Sequence, residues 1–210
     1  MKKYFIAAMA LFIAVAGVMA KPDNADKKLW KSATKRAKTL KKEGWRSNGS
    51  KELDVLLYEH YVKLKDEKNQ ELMVSIEGQT NVKTFNQAQR WAVVSAATLY
   101  AQQARSAIMG RVTQEIAGGL EGSAGADDFY AAYEAAVAKE INGELKPSVS
   151  IVREKKGGGF DYRIYYLVNE DEASNARLRA MQNAQKESDF ARQNAEKISD
   201  FVREGFQIEE

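Results

Sequence analysis

Residues 87–108 read QAQRWAVVSAATLYAQQARSAI and give the strongest structural signal in the chain. Alanine and larger apolar residues dominate it, which predicts one long helix from Ala88 through Ala117. Thr84 and Gln87 stand three residues apart, the spacing of a capping box at a helix start. Because apolar residues surround the helix from Trp91 to Ala101, we expect it to be the buried centre of the fold, with alanines allowing close approach of its neighbours.

Two amphipathic helices are predicted ahead of this central helix. Residues 28–43 place a stripe of leucine and alanine among many lysines, and Gly44 is suited to end that helix. Ser50 is expected to cap the second helix. His60, the only histidine, lies on the apolar stripe of this second helix. A buried structural role is favoured over a pH switch or a metal site, because no second histidine or cysteine is present to complete a metal site.

After the central helix the hydrophobic period changes from helical to alternating. Asp127 or Asp128 is expected to cap a further helix. Strands are predicted over residues 145–153 and 160–168, joined by a glycine-rich hairpin loop, and another strand over residues 72–78. The predicted fold class is therefore α+β, with a long central helix and a further helix packed on a small antiparallel sheet of about three strands. Basic N-terminal helices and an appended C-terminal helix complete it.

Residues 171–210 are expected to form a polar C-terminal element, with one helix over residues 172–204. Its seam of alanine, serine and a few larger apolar residues buries little area, and Phe190 and Phe201 flank it. Two arrangements fit the pattern equally well. The seam pairs with a partner helix, which includes homo-oligomerisation, or it packs back on its own domain.

Residues 1–20 predict a secretory signal peptide. Two lysines precede an apolar run that is too short for a stable membrane span, and small residues form a cleavage site of the A-x-A type. We therefore expect a mature chain that begins at Lys21, has no transmembrane span and is exported to the periplasm or the outer-membrane periphery. Residues 21–170 are expected to form an α+β envelope domain with N-terminal helices. The chain contains no cysteine, the residue that a bacterial lipoprotein acylates.

Composition and motifs argue against several functions. Removing the two leader lysines lowers the formal net charge from +3 to +1, which gives no general argument for a nucleic-acid partner. No catalytic, cofactor-binding or metal-binding constellation is predicted, and the glycine-rich stretch after the central helix lacks the Gly-Lys-Ser/Thr ending of a P-loop. Glu134, Glu140 and Glu144 leave a carboxylate-dependent hydrolase as an alternative, although Glu134 and Glu140 do not share a helical face.

Candidate interaction residues come from three parts of the chain. The basic N-terminal helix either lies on an anionic membrane or polymer surface or has an ordinary solvated lysine face. Arg163 and Tyr165 are expected to be exposed on the hairpin, where they recognise a ligand or form cross-strand pairs. The full candidate surface comprises Trp30, Lys31, Lys35, Lys38, Lys42, Arg163, Tyr165, Phe190 and Phe201.

The middle of the chain resembles the small outer-membrane lipoproteins of the LPP type and the related N-terminal domain of the flagellar assembly protein FlgT. The resemblance rests on Gly44-Trp45, on the alanine- and arginine-rich segment over residues 87–105, and on DYRIYYLV over residues 161–168. It covers about half of the mature chain and implies a small α+β envelope domain without known catalysis. The lipidation cysteine is missing and the C-terminal helix lies outside the pattern, so neither membrane anchoring nor a flagellar role is carried over.

These observations predict a non-enzymatic bacterial envelope protein that binds another envelope protein or polymer, through its α+β domain or its C-terminal helix. A periplasmic hydrolase that uses carboxylates alone is the first alternative. Peripheral attachment to anionic envelope surfaces through the basic N-terminal helix is the second. Nucleic acid is not expected as a partner, and no cofactor is expected.

Overall fold

The computed structural model describes residues 26–77, 84–116, 125–155 and 158–204, so the predicted leader lies outside the described residues. Within these ranges the fold class is α+β, as predicted. The elements in chain order are α1 (Lys27–Lys42), β1 (Arg46–Ser47), α2 (Leu53–Lys63), β2 (Asn69–Ile76), α3 (Phe85–Glu115), α4 (Ala126–Ile141), β3 (Lys146–Glu154), β4 (Phe160–Asn169), α5 (Glu170–Gln185), α6 (Asp189–Gln193) and α7 (Ala195–Glu204).

The described strands form one antiparallel sheet of four strands in the order β1-β3-β4-β2. The sequence predicted about three strands. The additional strand is β1, which pairs Arg46 with Val152 and Ser47 with Ile151. Two residues are too few to show an alternating pattern, which is why the sequence did not reveal this edge strand.

Helices cover both faces of this sheet. On one face, α3 contacts β2 and β4, and α5 contacts β4. Val74 of β2 and Ile164 of β4 are buried there. On the other face, α1 packs on α2, and their apolar side chains form a second, smaller core with Val149, Ile151 and Tyr165. The alternating pattern predicted for Val74 and Ile76 against Met73 and Ser75 is confirmed by burial.

The predicted capping box of α3 is confirmed, but the burial predicted around this helix from Trp91 to Ala101 is wrong. The Thr84 side chain accepts a hydrogen bond from Gln87 N, and the Gln87 side chain accepts one from Thr84 N. Only one stripe of α3 is buried, because its neighbours α4, α7 and the sheet lie on one side. The buried stripe consists of Ala88, Ala92, Ala96, Ala97, Tyr100, Ala101, Ala104, Ile108 and Val112. Trp91 is 46% exposed and Val94 is 65% exposed.

Two predicted helix caps are also wrong, whereas Gly44 ends α1 as predicted with a φ of +85°. Glu52 occupies the N-cap position of α2, and Ser50 lies outside the helix. Gly125, with a φ of +87°, occupies the N-cap position of α4. Asp127 and Asp128 lie in the first turn instead, where their charges favour the positive end of the helix dipole.

The C-terminal part of the chain folds into three helices instead of one. Ser188 interrupts the predicted helix: its hydroxyl accepts a hydrogen bond from Ala191 N at the start of α6 and donates one to the Gly125 carbonyl oxygen at 3.2 Å. Helices α5 and α7 then pack on α4 and α3. Of the two predicted arrangements, the structure therefore has the one in which the seam packs on its own domain.

A buried arginine joins three of these helices. Arg177 of α5 is 1% exposed and forms an ion pair with Glu170 at 2.5 Å. Its guanidinium donates hydrogen bonds to the Tyr100 hydroxyl at 2.5 Å and to the Val202 carbonyl oxygen at 3.3 Å. Burial raises the pKa of Tyr100 to about 12, which keeps its hydroxyl protonated well into the alkaline range.

A pair of glutamate substitutions on α3 tests the one-sided burial. Ala96→Glu places a carboxylate in the core, and we expect the free energy of unfolding to fall by about 3 kcal/mol or more. Val94→Glu places the same group on the exposed face, and we expect a change within about 0.5 kcal/mol. Urea denaturation of both variants measures the difference. Equal destabilisation would contradict the described orientation of α3.

Candidate functional site

The outer face of α1 carries a row of lysines. The helix begins after Asp26, whose side chain accepts hydrogen bonds from Lys28 N and Leu29 N. Ala33, Ala37 and Leu40 point into the smaller core. Lysines spaced three and four residues apart consequently lie on the opposite side and are exposed. They are Lys31, Lys35, Lys38 and Lys42.

We name these four residues the lysine face. Their Cα atoms span about 17 Å along the helix axis. Within the described ranges, none of the four ammonium groups lies at ion-pair distance from a carboxylate, whereas Lys41 on the flank of α1 pairs with Glu52 at 3.2 Å. The lysine face is therefore a strip of uncompensated positive charge, which attracts anionic surfaces.

A pocket of about 480 Å³ lies beside the lysine face, between α1 and the first turn of α2. Its lining residues are Thr34, Ala37, Lys38, Lys41, Lys42 and Asp54. The wall is almost wholly apolar, although most of these residues carry a polar group. Lys38 and Lys42 belong both to the lysine face and to the rim of this pocket, so the two features form one continuous candidate site.

Trp30 does not project from α1 as a free membrane anchor. It is half-buried, and its ring makes an edge-to-face contact with Tyr58 of α2 at a centroid distance of 5.6 Å. Such aromatic pairs stabilise the contact between two elements. The structure therefore places Trp30 in the α1–α2 contact, beside the lysine face.

The predicted exposure of Tyr165 is wrong, because α1 and α2 cover that face of β4 and leave the residue 4% exposed. Arg163 is partly buried in a cluster that the sequence did not reveal. The guanidinium groups of Arg153 and Arg163 lie 4.5 and 4.6 Å from the ring centroid of Trp45, and Glu77 pairs with both. These contacts connect Trp45, which directly precedes β1, with β3 and β4, and they leave Arg163 engaged within the fold.

Phe190 and Phe201 also belong to the interior. They are 9% and 7% exposed and contact the larger core. The turn at Ser188 directs this part of the chain back onto α4 and α5, which accounts for their burial. They contribute no apolar patch for a partner helix.

His60 connects α2 to the two strands on either side of β4. Its ring is fully buried, with Nδ1 3.0 Å from the Ser148 Oγ and Nε2 2.5 Å from the Glu71 Oε2. Ser148 lies at a bulge of β3, where the register with β4 shifts. The order Glu–His–Ser is that of a hydrolase triad, but the ring has no exposed edge that a leaving group could reach. The contacts instead hold α2 on the sheet, in agreement with the predicted structural role.

The glutamates considered for a hydrolase are all engaged by arginines. Glu134 pairs with Arg105 at 2.8 Å. Glu140 and Glu144 both pair with Arg179, at 2.7 and 3.3 Å. In the part of the chain that the structure describes, no three histidine, cysteine or acidic side chains come together as a potential metal site.

Comparison with known proteins adds no relative. The chain has no significant match among protein-family models, curated proteins or solved structures. The resemblance to the LPP-type lipoproteins and to the FlgT domain therefore stays a prediction. None of the helices in the described ranges combines the length and apolar character needed to cross a membrane.

Substitutions at the His60 contacts test its structural role. We expect His60→Ala to lower the free energy of unfolding by about 2–4 kcal/mol, because packing and two hydrogen bonds are lost together. Ser148→Ala alone should lower the free energy of unfolding by about 1 kcal/mol. Adding it to His60→Ala should cause little further loss, because both substitutions remove the same contact. Ser150→Ala on the same strand is the control. Additive losses in the double variant, measured in urea, would argue against the contact.

Proposed function

We propose that this protein is an exported, non-enzymatic component of the bacterial cell envelope that attaches peripherally to an anionic surface through the lysine face of α1. The observation that carries the proposal is the row of four exposed lysines without carboxylate partners in the described ranges. The predicted signal peptide at residues 1–20 supports export to the periplasm or the outer-membrane periphery.

The expected strength of this attachment follows from the number of charges. A lysine close to an anionic membrane contributes about 1 kcal/mol, so the four contribute about 4 kcal/mol. Alone, this corresponds to a Kd of about 1 mM. Lys27 and Lys28 are also exposed at the start of α1 and add to the attraction. Binding is therefore reversible and depends on salt, because the Debye length is about 8 Å at physiological ionic strength.

Other proposals receive less support from the geometry. A carboxylate-dependent hydrolase needs a pair of carboxylates facing a substrate, but Glu140 and Glu144 share one arginine. Homo-oligomerisation through the C-terminal helices needs an exposed seam, but Phe190 and Phe201 are buried in the larger core. An envelope protein partner is compatible with the lysine face if the surface it presents is acidic.

Vesicle binding tests the attachment. We expect the protein to bind vesicles that contain phosphatidylglycerol, to bind neutral phosphatidylcholine vesicles weakly, and to be released by salt. A variant with Lys31, Lys35, Lys38 and Lys42 all changed to Gln should lose up to about a thousandfold in affinity, because four contributions of about 1 kcal/mol are removed. Co-sedimentation at several salt concentrations measures both effects.

A matched control separates the lysine face from net charge. The control variant carries the same four-charge change at exposed lysines on other elements, namely Lys63, Lys139, Lys186 and Lys197. We expect this variant to retain most of the affinity. Equal losses in the two variants would show that net charge governs binding, which would contradict a specific role of α1.

Export is tested separately by fractionation of bacterial cells that express the full chain. We expect the protein in the periplasmic or outer-membrane fraction, with a mature N-terminus at Lys21 by mass spectrometry. Intact chain recovered from the cytoplasm would contradict the export part of the proposal.

A further inference from the structure

We propose that the pocket between α1 and α2 binds the headgroup and adjoining hydrocarbon of an anionic phospholipid whose headgroup carries free hydroxyl groups. This inference rests on the proposed function and assigns a specific lipid class to the same site. Its evidence comes from the residues that line the pocket.

Two of the residues that line the pocket each carry a buried polar atom without a hydrogen-bond partner among the described residues. Asp54 is completely buried in the first turn of α2. Its Oδ1 accepts a hydrogen bond from Val55 N at 3.1 Å, but its Oδ2 has no donor. The Thr34 hydroxyl on α1 is buried and unpaired as well. Buried polar groups normally have partners, so each of these two atoms can form a hydrogen bond with a ligand group that enters the pocket.

The chemistry of this group follows from what the two atoms need. An ionised carboxylate accepts hydrogen bonds only, and a threonine hydroxyl both donates and accepts. A ligand hydroxyl can donate a hydrogen bond to the Asp54 carboxylate and accept one from the Thr34 hydroxyl. A ligand ammonium would share the pocket with the unpaired charges of Lys38 and Lys42, whose repulsion disfavours a cation there.

The rim and wall select an anionic amphiphile. Lys38 and Lys42 line the pocket, and their ammonium groups can pair with the phosphate of a bound lipid. Ala37 and the carbon stems of the lysines form an apolar wall that suits hydrocarbon next to the headgroup. The lysine stems are flexible, so they can turn aside to admit a hydroxyl to Asp54.

Two vesicle types of equal charge test the inference. Phosphatidylglycerol presents two headgroup hydroxyls, whereas phosphatidylserine presents an ammonium and a carboxylate and carries the same net charge. We expect the full chain to bind phosphatidylglycerol vesicles about tenfold more tightly at equal anionic content, the effect of one hydrogen bond to a charged acceptor. Equal affinity for the two lipids would show that the headgroup hydroxyls are not recognised, and it overturns the inference.

Substitutions then assign the preference to the pocket. Asp54→Leu and Thr34→Val should each reduce the preference for phosphatidylglycerol to about twofold or less, while binding remains salt-dependent. Asp127→Leu is the matched control, because Asp127 holds the equivalent first-turn position of α4, is exposed and removes the same charge. It should retain the preference. Thr34→Val keeps the test decisive if Asp54→Leu does not fold.

The outcomes separate the inference from the proposed function. A preference that survives both pocket substitutions overturns the inference but leaves the attachment through the lysine face intact. Absence of binding to either anionic vesicle overturns both. Loss of the preference in Asp127→Leu as well would show that a charge effect, and not the pocket, discriminates the lipids.

Discussion

The structure depends on the burial of β4 on both of its faces. Tyr162, Ile164 and Tyr166 point into the larger core, while Tyr165 points into the smaller one. A strand in this position needs helices on both sides, since an uncovered face would leave apolar area in water. The α1–α2 pair therefore exists as a cover for one face of the sheet, and His60 holds it there through contacts with β2 and β3.

The sequence predicted those parts of the fold whose pattern is local. The central helix, its capping box and the alternation of β2 depend on residues close in the chain, and each was found where expected. The exposure of Trp91 and the burial of Tyr165 depend on which elements pack on which side, and spacing within one element does not contain that information. The break at Ser188 depends on a contact with Gly125, which lies 63 residues away.

The same distinction applies to the candidate site. The lysine face follows from a helical period within α1 and was predictable. The pocket beside it was not, because Asp54 is on α2 and Thr34 is on α1. No single-sequence pattern distinguishes a buried aspartate of a first turn from an exposed one. The position of Trp45 between two arginines was also not predictable, because Arg153 and Arg163 lie on two strands that come much later in the chain.

Among the described residues, α1 gathers four lysines without carboxylate partners on one face. Lys51, Lys65, Lys68 and Lys146 all have carboxylate partners. Neighbouring lysines along the lysine face instead repel one another, at about 0.2–0.5 kcal/mol for each pair three or four residues apart. A helix that only covered the sheet would be more stable with acidic residues at some of these positions. The repulsion is relieved when an anionic surface approaches, so the same charges that weaken α1 in isolation favour its attachment.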